Sequence, residues 1–166
     1  MAAEVSRADL AHLRRCVELA AEAVAAGDFP FGSVLVAADG TVLAEDRNRE
    51  ETQADPTYHP EFALARWAAK NLTPRERADA TVFTSGEHCP MCAAAHGWAG
   101  LGRIVYATSS EQLTAWLAEL GVGPSPVRPL AITEVVPGLE VAGPAPELAA
   151  QVRELHHRFR AARRQG

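Results

Sequence analysis

TSGEHCPMC, residues 84–92, places two cysteines three positions apart, with a proline directly after the first. Proline suits the first position of a helix, so a helix is predicted to begin at Pro90. Two thiols three apart at a helix start lie on one face, where free amides and the helix dipole favour thiolates. A lone C-x-x-C is also the spacing of a redox pair or of two small core residues. Cys89 and Cys92 therefore need further ligands before a metal site is predicted.

A second motif, His59-Pro60-Glu61, stands upstream and supplies a third candidate ligand. Pro60 predicts another helix start, with His59 as its N-cap. Three protein ligands leave the fourth position of zinc open for water, and a nearby carboxylate that does not bind the metal can move protons. Alone, H-x-E is equally an ordinary helix start with an acidic residue. The two motifs together predict a catalytic zinc site with Glu61 as the acid–base group.

Outward from these motifs, the periodicity of apolar residues predicts alternating helices and strands. Crossovers between parallel strands are right-handed and leave helices on both faces of a sheet. We therefore expect an α/β fold with three α-β-α layers and a five-stranded mixed sheet. Helices are predicted at 8–26, 61–72, 90–98, 111–120 and 146–164, and strands at 32–37, 41–45, 82–84, 103–108 and 130–136.

Composition narrows the class of protein. The 166 residues, 48% of them hydrophobic, predict one domain over residues 1–166. A formal net charge of −5 argues against a nucleic-acid partner and favours a small molecule. Three cysteines with no secretory signal argue against disulfides, and no run of residues is apolar enough for a membrane span. We expect a cytoplasmic protein.

H-x-E at 59–61 and C-x-x-C at 89–92 resemble the signature of the cytidine deaminase superfamily, which is H-x-E followed by P-C-x-x-C. Flanking segments are similar to the branch of guanine deaminases, yeast-type cytosine deaminases and tRNA adenosine deaminases. The matching segments are PFGSVLV at 30–36, Asn48, DPTYHPE at 55–61, TSGEHCPMC at 84–92, and Trp98 with Ala99. The resemblance implies a cytidine deaminase-like fold, Zn2+ held by His59, Cys89 and Cys92, and Glu61 as the proton shuttle.

The same resemblance implies that Asn48 hydrogen-bonds the substrate base and that Phe31 or Trp98 lines an apolar slot. Asn48 is otherwise an ordinary turn residue, because asparagine is common in turns for local reasons. Phe31 and Trp98 are otherwise core aromatics.

Three positions depart from the family pattern. His88 replaces the usual proline before the first cysteine; it is interpreted first as a structural change, with contact to the ligands or to substrate as alternatives. Pro60 replaces alanine or glycine and has no N–H with which to hold a substrate oxygen. The aspartate that guanine deaminases carry beyond the fourth strand is absent, and Glu111 or Glu119 is a candidate substitute.

The leading function is hydrolytic deamination of a free nucleobase or similar N-heterocycle, such as guanine, cytosine, an s-triazine or a pterin-like ring. The alternatives are a tRNA adenosine deaminase, for which the arginines of the tail HHRFRAARRQG speak, and a non-catalytic zinc-binding assembly module. We expect a homodimer, because the apolar segment GWAGLG at 97–102 needs cover. The C-terminal helix is a further candidate for dimer contacts.

Overall fold

The computed structural model describes residues 2–166. Its helices are α1 (Arg7–Ala26), α2 (Pro60–Asn71), α3 (Pro74–Asp79), α4 (Pro90–Ala99), α5 (Ser110–Glu119), α6 (Ile132–Val135) and α7 (Pro146–Gln165). Its strands are β1 (Gly32–Val36), β2 (Val42–Arg47), β3 (Thr81–Gly86), β4 (Ile104–Thr108) and β5 (Val141–Ala142).

The five strands form one mixed sheet in the order β2-β1-β3-β4-β5. Strand β1 runs antiparallel to both β2 and β3, whereas β3, β4 and β5 are parallel. The crossover from β3 to β4 contains α4, so the cysteine motif follows the carboxyl end of β3. The predicted mixed sheet of five strands is confirmed.

Alternate residues of the central strands face opposite layers, as the twofold period of a strand requires. Val34 and Val36 pack into a core formed with α1 and α7. Leu35 points to the other side, into a core formed with α2 and α4. The expected α-β-α layering is thereby confirmed, and the zinc motifs belong to the layer of α2 and α4.

The strand predicted at 130–136 is wrong, because this segment forms the short helix α6 and the fifth strand is β5. The Glu134 carboxylate accepts a hydrogen bond from the amide of Ala131 at 2.8 Å and closes a helical turn. The amide of Ile132 donates to the Glu87 carboxylate at 2.8 Å, which holds the start of this turn. The local hydrogen bond within the turn and the tertiary one to Glu87 outweigh the β-branched composition of the segment.

Helix α3 has no counterpart in the sequence prediction. It is one and a half turns long and begins with a capping box, in which Thr73 and Glu76 each bond the other's backbone amide. Among residues 2–166, no helix combines the length and apolar character needed to cross a bilayer.

Candidate metal centre and active site

Two helix N-termini meet at the candidate metal centre. His59 is the N-cap of α2 and Cys89 is the N-cap of α4, and each is followed by a proline at the first helical position. Neither side chain caps its own helix, so both are free to point elsewhere. Cys92 lies in the first turn of α4 and is fully buried. The sequence prediction of two convergent helix starts is confirmed.

The ligand atoms have the spacing that zinc requires. Nδ1 of His59 lies 3.5 Å from Sγ of Cys89 and 3.5 Å from Sγ of Cys92. In a tetrahedral site with Zn–N and Zn–S bonds of about 2.0 and 2.3 Å, nitrogen and sulfur ligands lie about 3.5 Å apart. One nitrogen and two thiolates are also a donor set that zinc favours. His59, Cys89 and Cys92 therefore fit a zinc ion and are placed to bind it.

Electrostatics prepare Cys89 as a ligand. A hydrogen bond from the Cys92 thiol lowers the pKa of Cys89 to about 4, against the opposing effect of burial, and the contact with His59 acts in the same direction. A thiolate at this position is the form of cysteine that binds metal.

Glu61 lies beside this cluster without joining it. Its carboxylate is buried, and Oε1 accepts hydrogen bonds from Thr84 at 2.7 Å and from Ser33 at 3.2 Å. Ser33 and Thr84 are register partners on β1 and β3, and the two hydroxyls lie 2.9 Å apart. Burial raises the pKa of Glu61. A buried carboxylate of raised pKa can both take and give a proton.

Asn48 follows β2 directly, and its side chain is engaged within its own turn. Its Nδ2 donates to Oε1 of Glu50 at 2.7 Å, and its Oδ1 accepts from the amide of Glu50 at 3.0 Å. Phe31 precedes β1 and packs near Gly86 and His156. The ring centroids of Phe31 and His156 are 5.3 Å apart. Pro60 is buried at the first position of α2. The substrate contacts of these residues stay predictions.

His88 is buried directly before Cys89, and its ring packs edge-on against His96 with 5.4 Å between centroids. Neither ring nitrogen has a hydrogen-bond partner in the described chain. Burial, with a smaller contribution from His96, lowers the pKa of His88 well below its usual value, so the ring is neutral.

Trp98 lies near the end of α4 and is 91% exposed. The interpretation of Trp98 as a core residue is therefore wrong, and its contact with substrate stays a prediction.

The two candidate acids after β4 lie on the surface. Glu111 is exposed in the first turn of α5, and Glu119 forms an ion pair with Arg153. A second carboxylate besides Glu61 approaches the metal ligands: Oε1 of Glu50 lies 3.1 Å from Nε2 of His59. Sequence reasoning missed Glu50 because it stands in a polar loop without periodicity. It also missed Ser33 and Thr84, although strand alternation from Leu35 and Val82 places both on the face of α2.

Three residues placed to bind zinc, with a buried carboxylate beside them that is not a ligand, form the kind of zinc site that keeps one metal position open. Residues 6–108 match the family model described as the cytidine and deoxycytidylate deaminase zinc-binding region. The chain belongs to this family, and the resemblance expected from the motifs is confirmed.

Curated relatives include proteins with different substrates. Over 96 residues the chain is 44% identical to guanine deaminase from Bacillus subtilis, a match covering 57% of this chain and 61% of the relative. Over 103 residues it is 36% identical to tRNA-specific adenosine deaminase from Haemophilus influenzae, covering 62% of this chain and 60% of the relative. The chain thus spans less than two thirds of either relative.

A solved structure shares the fold over almost the whole chain. Guanine deaminase from Nitrosomonas europaea superposes with a TM-score of 0.68 at 18% identity, covering 97% of this chain and 87% of that one. The cytidine deaminase-like fold is thereby confirmed beyond the region that the family model matches.

Proposed function

We propose that this chain is a hydrolytic deaminase that releases ammonia from a free nucleobase or a similar small N-heterocycle. Candidate substrates are guanine, cytosine, s-triazines and pterin-like rings, and the reaction class is hydrolysis of a C–N bond in a cyclic amidine. The observation that carries the proposal is the buried Glu61 carboxylate, held by two hydroxyls next to three zinc ligands but outside the ligand set.

The chemistry that zinc supplies when bound here is acidification of a water molecule, whose pKa falls towards neutrality. Glu61 would accept one proton of the attacking water, whose oxygen adds to the amine-bearing ring carbon, and would pass that proton to a ring nitrogen. The same carboxylate would then carry the remaining proton of the new hydroxyl group to the amine. The C–N bond breaks with its electron pair on nitrogen, ammonia leaves, and the ring keeps a carbonyl oxygen.

Charge supports a small substrate over tRNA. The net charge of −5 disfavours phosphate backbones, and the arginines of the tail are engaged with the protein itself. Arg158 pairs with Glu154 at 3.1 Å and Arg163 with Glu51 at 3.0 Å. The guanidinium of Arg160 lies over an aromatic ring of the protein, that of Phe159, at 5.4 Å. The 44% identity to a guanine deaminase also supports a free base.

We propose further that residues 1–166 form one domain and act as a homodimer in the cytoplasm. The observation that supports a protein partner is the exposure of Trp98, which is 91% exposed on α4 within the apolar segment at 97–102. Free thiols at Cys16, Cys89 and Cys92 suit a reducing compartment. A monomeric mass by light scattering would contradict the dimer.

Ammonia release from a panel of heterocycles tests the proposed function. Zinc-loaded protein is incubated with aminated purines, pyrimidines, pterins and s-triazines, and Glu61→Ala serves as the matched variant. We expect turnover of at least one free ring, reduced by at least about 100-fold in Glu61→Ala, whose zinc is retained.

Two outcomes would overturn the proposal in different ways. Deamination of a tRNA anticodon stem-loop, with every free heterocycle inert, would make the substrate class wrong. No ammonia from any substrate, with zinc and fold intact, would favour the non-catalytic assembly module.

A further inference from the structure

One carboxylate oxygen joins the metal centre to Asn48. Oε1 of Glu50 lies 3.1 Å from Nε2 of His59 and accepts a hydrogen bond from Nδ2 of Asn48 at 2.7 Å. The side chains of His59 and Glu50 are 25% and 17% exposed, so the contact is largely shielded from water. The other carboxylate oxygen of Glu50, Oε2, accepts no hydrogen bond from residues 2–166.

Hydrogen bonds to Asp28 hold the loop that carries Glu50. Asp28 is fully buried at the end of α1, and its Oδ1 accepts the amides of Glu51 at 2.9 Å and Thr52 at 2.8 Å. Its Oδ2 accepts from the guanidinium of Arg47 at 2.7 Å and from the Thr52 hydroxyl at 2.8 Å. Glu50 is therefore fixed by its neighbours and does not swing freely in solvent.

The two ring nitrogens of His59 have different roles, because only one of them faces the thiols. Nδ1 of His59 is the atom 3.5 Å from both sulfurs, so Nε2 is left to carry the ring proton when a metal is bound. Oε1 of Glu50 lies 3.1 Å from that nitrogen. A carboxylate in this place fixes the tautomer and the ring plane of a ligating histidine and raises its basicity.

Asn48 is oriented by the same residue. Its amide group makes two hydrogen bonds with Glu50, which set which side of the amide presents nitrogen and which presents oxygen. One N–H of Nδ2 remains for another partner.

We propose that Glu50 is a positioning residue that locks His59 for zinc and at the same time sets the orientation of the Asn48 amide. The inference rests on the zinc chemistry of the proposed function but not on the identity of the substrate. Glu111 and Glu119 take no part in it.

The test is a zinc titration against a competing chelator, which needs no substrate. We expect zinc affinity to fall by about 10- to 100-fold in Glu50→Ala. Glu51→Ala is the matched control, because it removes the neighbouring carboxylate, which pairs with Arg163, and leaves His59 untouched. Its affinity is expected to equal that of the unmodified protein. Glu50→Gln keeps an acceptor for His59 without the charge, and its affinity is expected to lie between the two.

Nitrogen NMR of the zinc-bound protein supplies a second readout. We expect His59 to show a protonated Nε2 in the unmodified protein and in Glu50→Gln, with faster exchange of that proton in Glu50→Ala. Equal zinc affinity in Glu50→Ala and Glu51→Ala would overturn the proposal. If Glu50→Ala fails to fold, unchanged zinc affinity in Glu50→Gln together with unchanged exchange of the Nε2 proton would overturn the proposal. Failure of the heterocycle panel would leave this titration valid, so the two tests fail separately.

Discussion

At the scale of single residues, the site depends on short polar contacts from neighbouring strands. Ser33 and Thr84 are buried hydroxyls whose shared target is Oε1 of Glu61. Because Oε1 is occupied in this way, Oε2 is the oxygen that would exchange protons in the proposed reaction. The two hydroxyls hold the carboxylate in one orientation, which an acid–base group requires.

Replacement of Thr84 by valine is expected to lower kcat by about 10- to 100-fold, since a hydrogen bond to a charged group contributes about 1.5–3 kcal/mol. KM and zinc content are expected to stay unchanged, because Thr84 touches neither the metal ligands nor the predicted substrate contacts. Steady-state kinetics on a substrate from the heterocycle panel measure the effect.

Two companions separate this role from a general loss of stability. Thr84→Ser keeps the hydroxyl and should recover most of kcat. Thr108→Val removes another buried hydroxyl, which donates to the Ser85 carbonyl at 2.9 Å, and should leave kcat alone. A Thr84→Val enzyme with full kcat would show that the contact does not position Glu61.

At the scale of elements, the sequence predicts those helices and strands whose ends are set by strong local signals such as proline. Prolines at the first positions of α2 and α4 fix where each helix begins, so the metal ligands could be located without a structure. The two-residue strand β5 and the short helix α6 could not be predicted from the sequence. Their conformations depend on tertiary hydrogen bonds, including one from the amide of Ile132 to Glu87. The sequence did not predict a role for Glu50 either, since that role depends on its contact with His59 across the loop.

The link between α1 and β4 gives a pH-dependent prediction. Burial alone would raise the pKa of Asp9, but hydrogen bonds from Arg103 and Ser6 outweigh it and lower the pKa to about 2. Because the pKa of Asp9 is lower in the folded chain, its carboxylate stabilises the fold at every pH above the unfolded value of 3.8. This stabilisation is lost as the pH falls towards 2. The contribution at neutral pH is about 2 kcal/mol.

Urea denaturation of Asp9→Asn measures this contribution. The free energy of unfolding should drop by about 2 kcal/mol at pH 7, and the difference should shrink to roughly half at pH 3. Glu140→Gln is the control, because Glu140 meets the same arginine at 3.3 Å but is 74% exposed. A difference that stays constant from pH 7 to pH 3 would contradict the assignment.

At the scale of the whole molecule, one architecture serves a small active site. Helix α1 and helix α7 cover one face of the sheet and give stability. Helices α2 and α4 cover the other face and bring their N-termini to one point, where three ligands and one free carboxylate meet. His59, Cys89 and Cys92 are placed to hold zinc, and Glu61 lies outside this ligand set.

The metal content per chain distinguishes the three zinc ligands from Glu61. Elemental analysis of protein purified without chelators should find about one zinc in the unmodified chain and in Glu61→Ala, because the ligand set is complete in both. Cys92→Ala should lose the metal and become less stable, since a two-ligand site binds weakly. Full zinc in Cys92→Ala, or loss of zinc in a folded Glu61→Ala, would contradict the account.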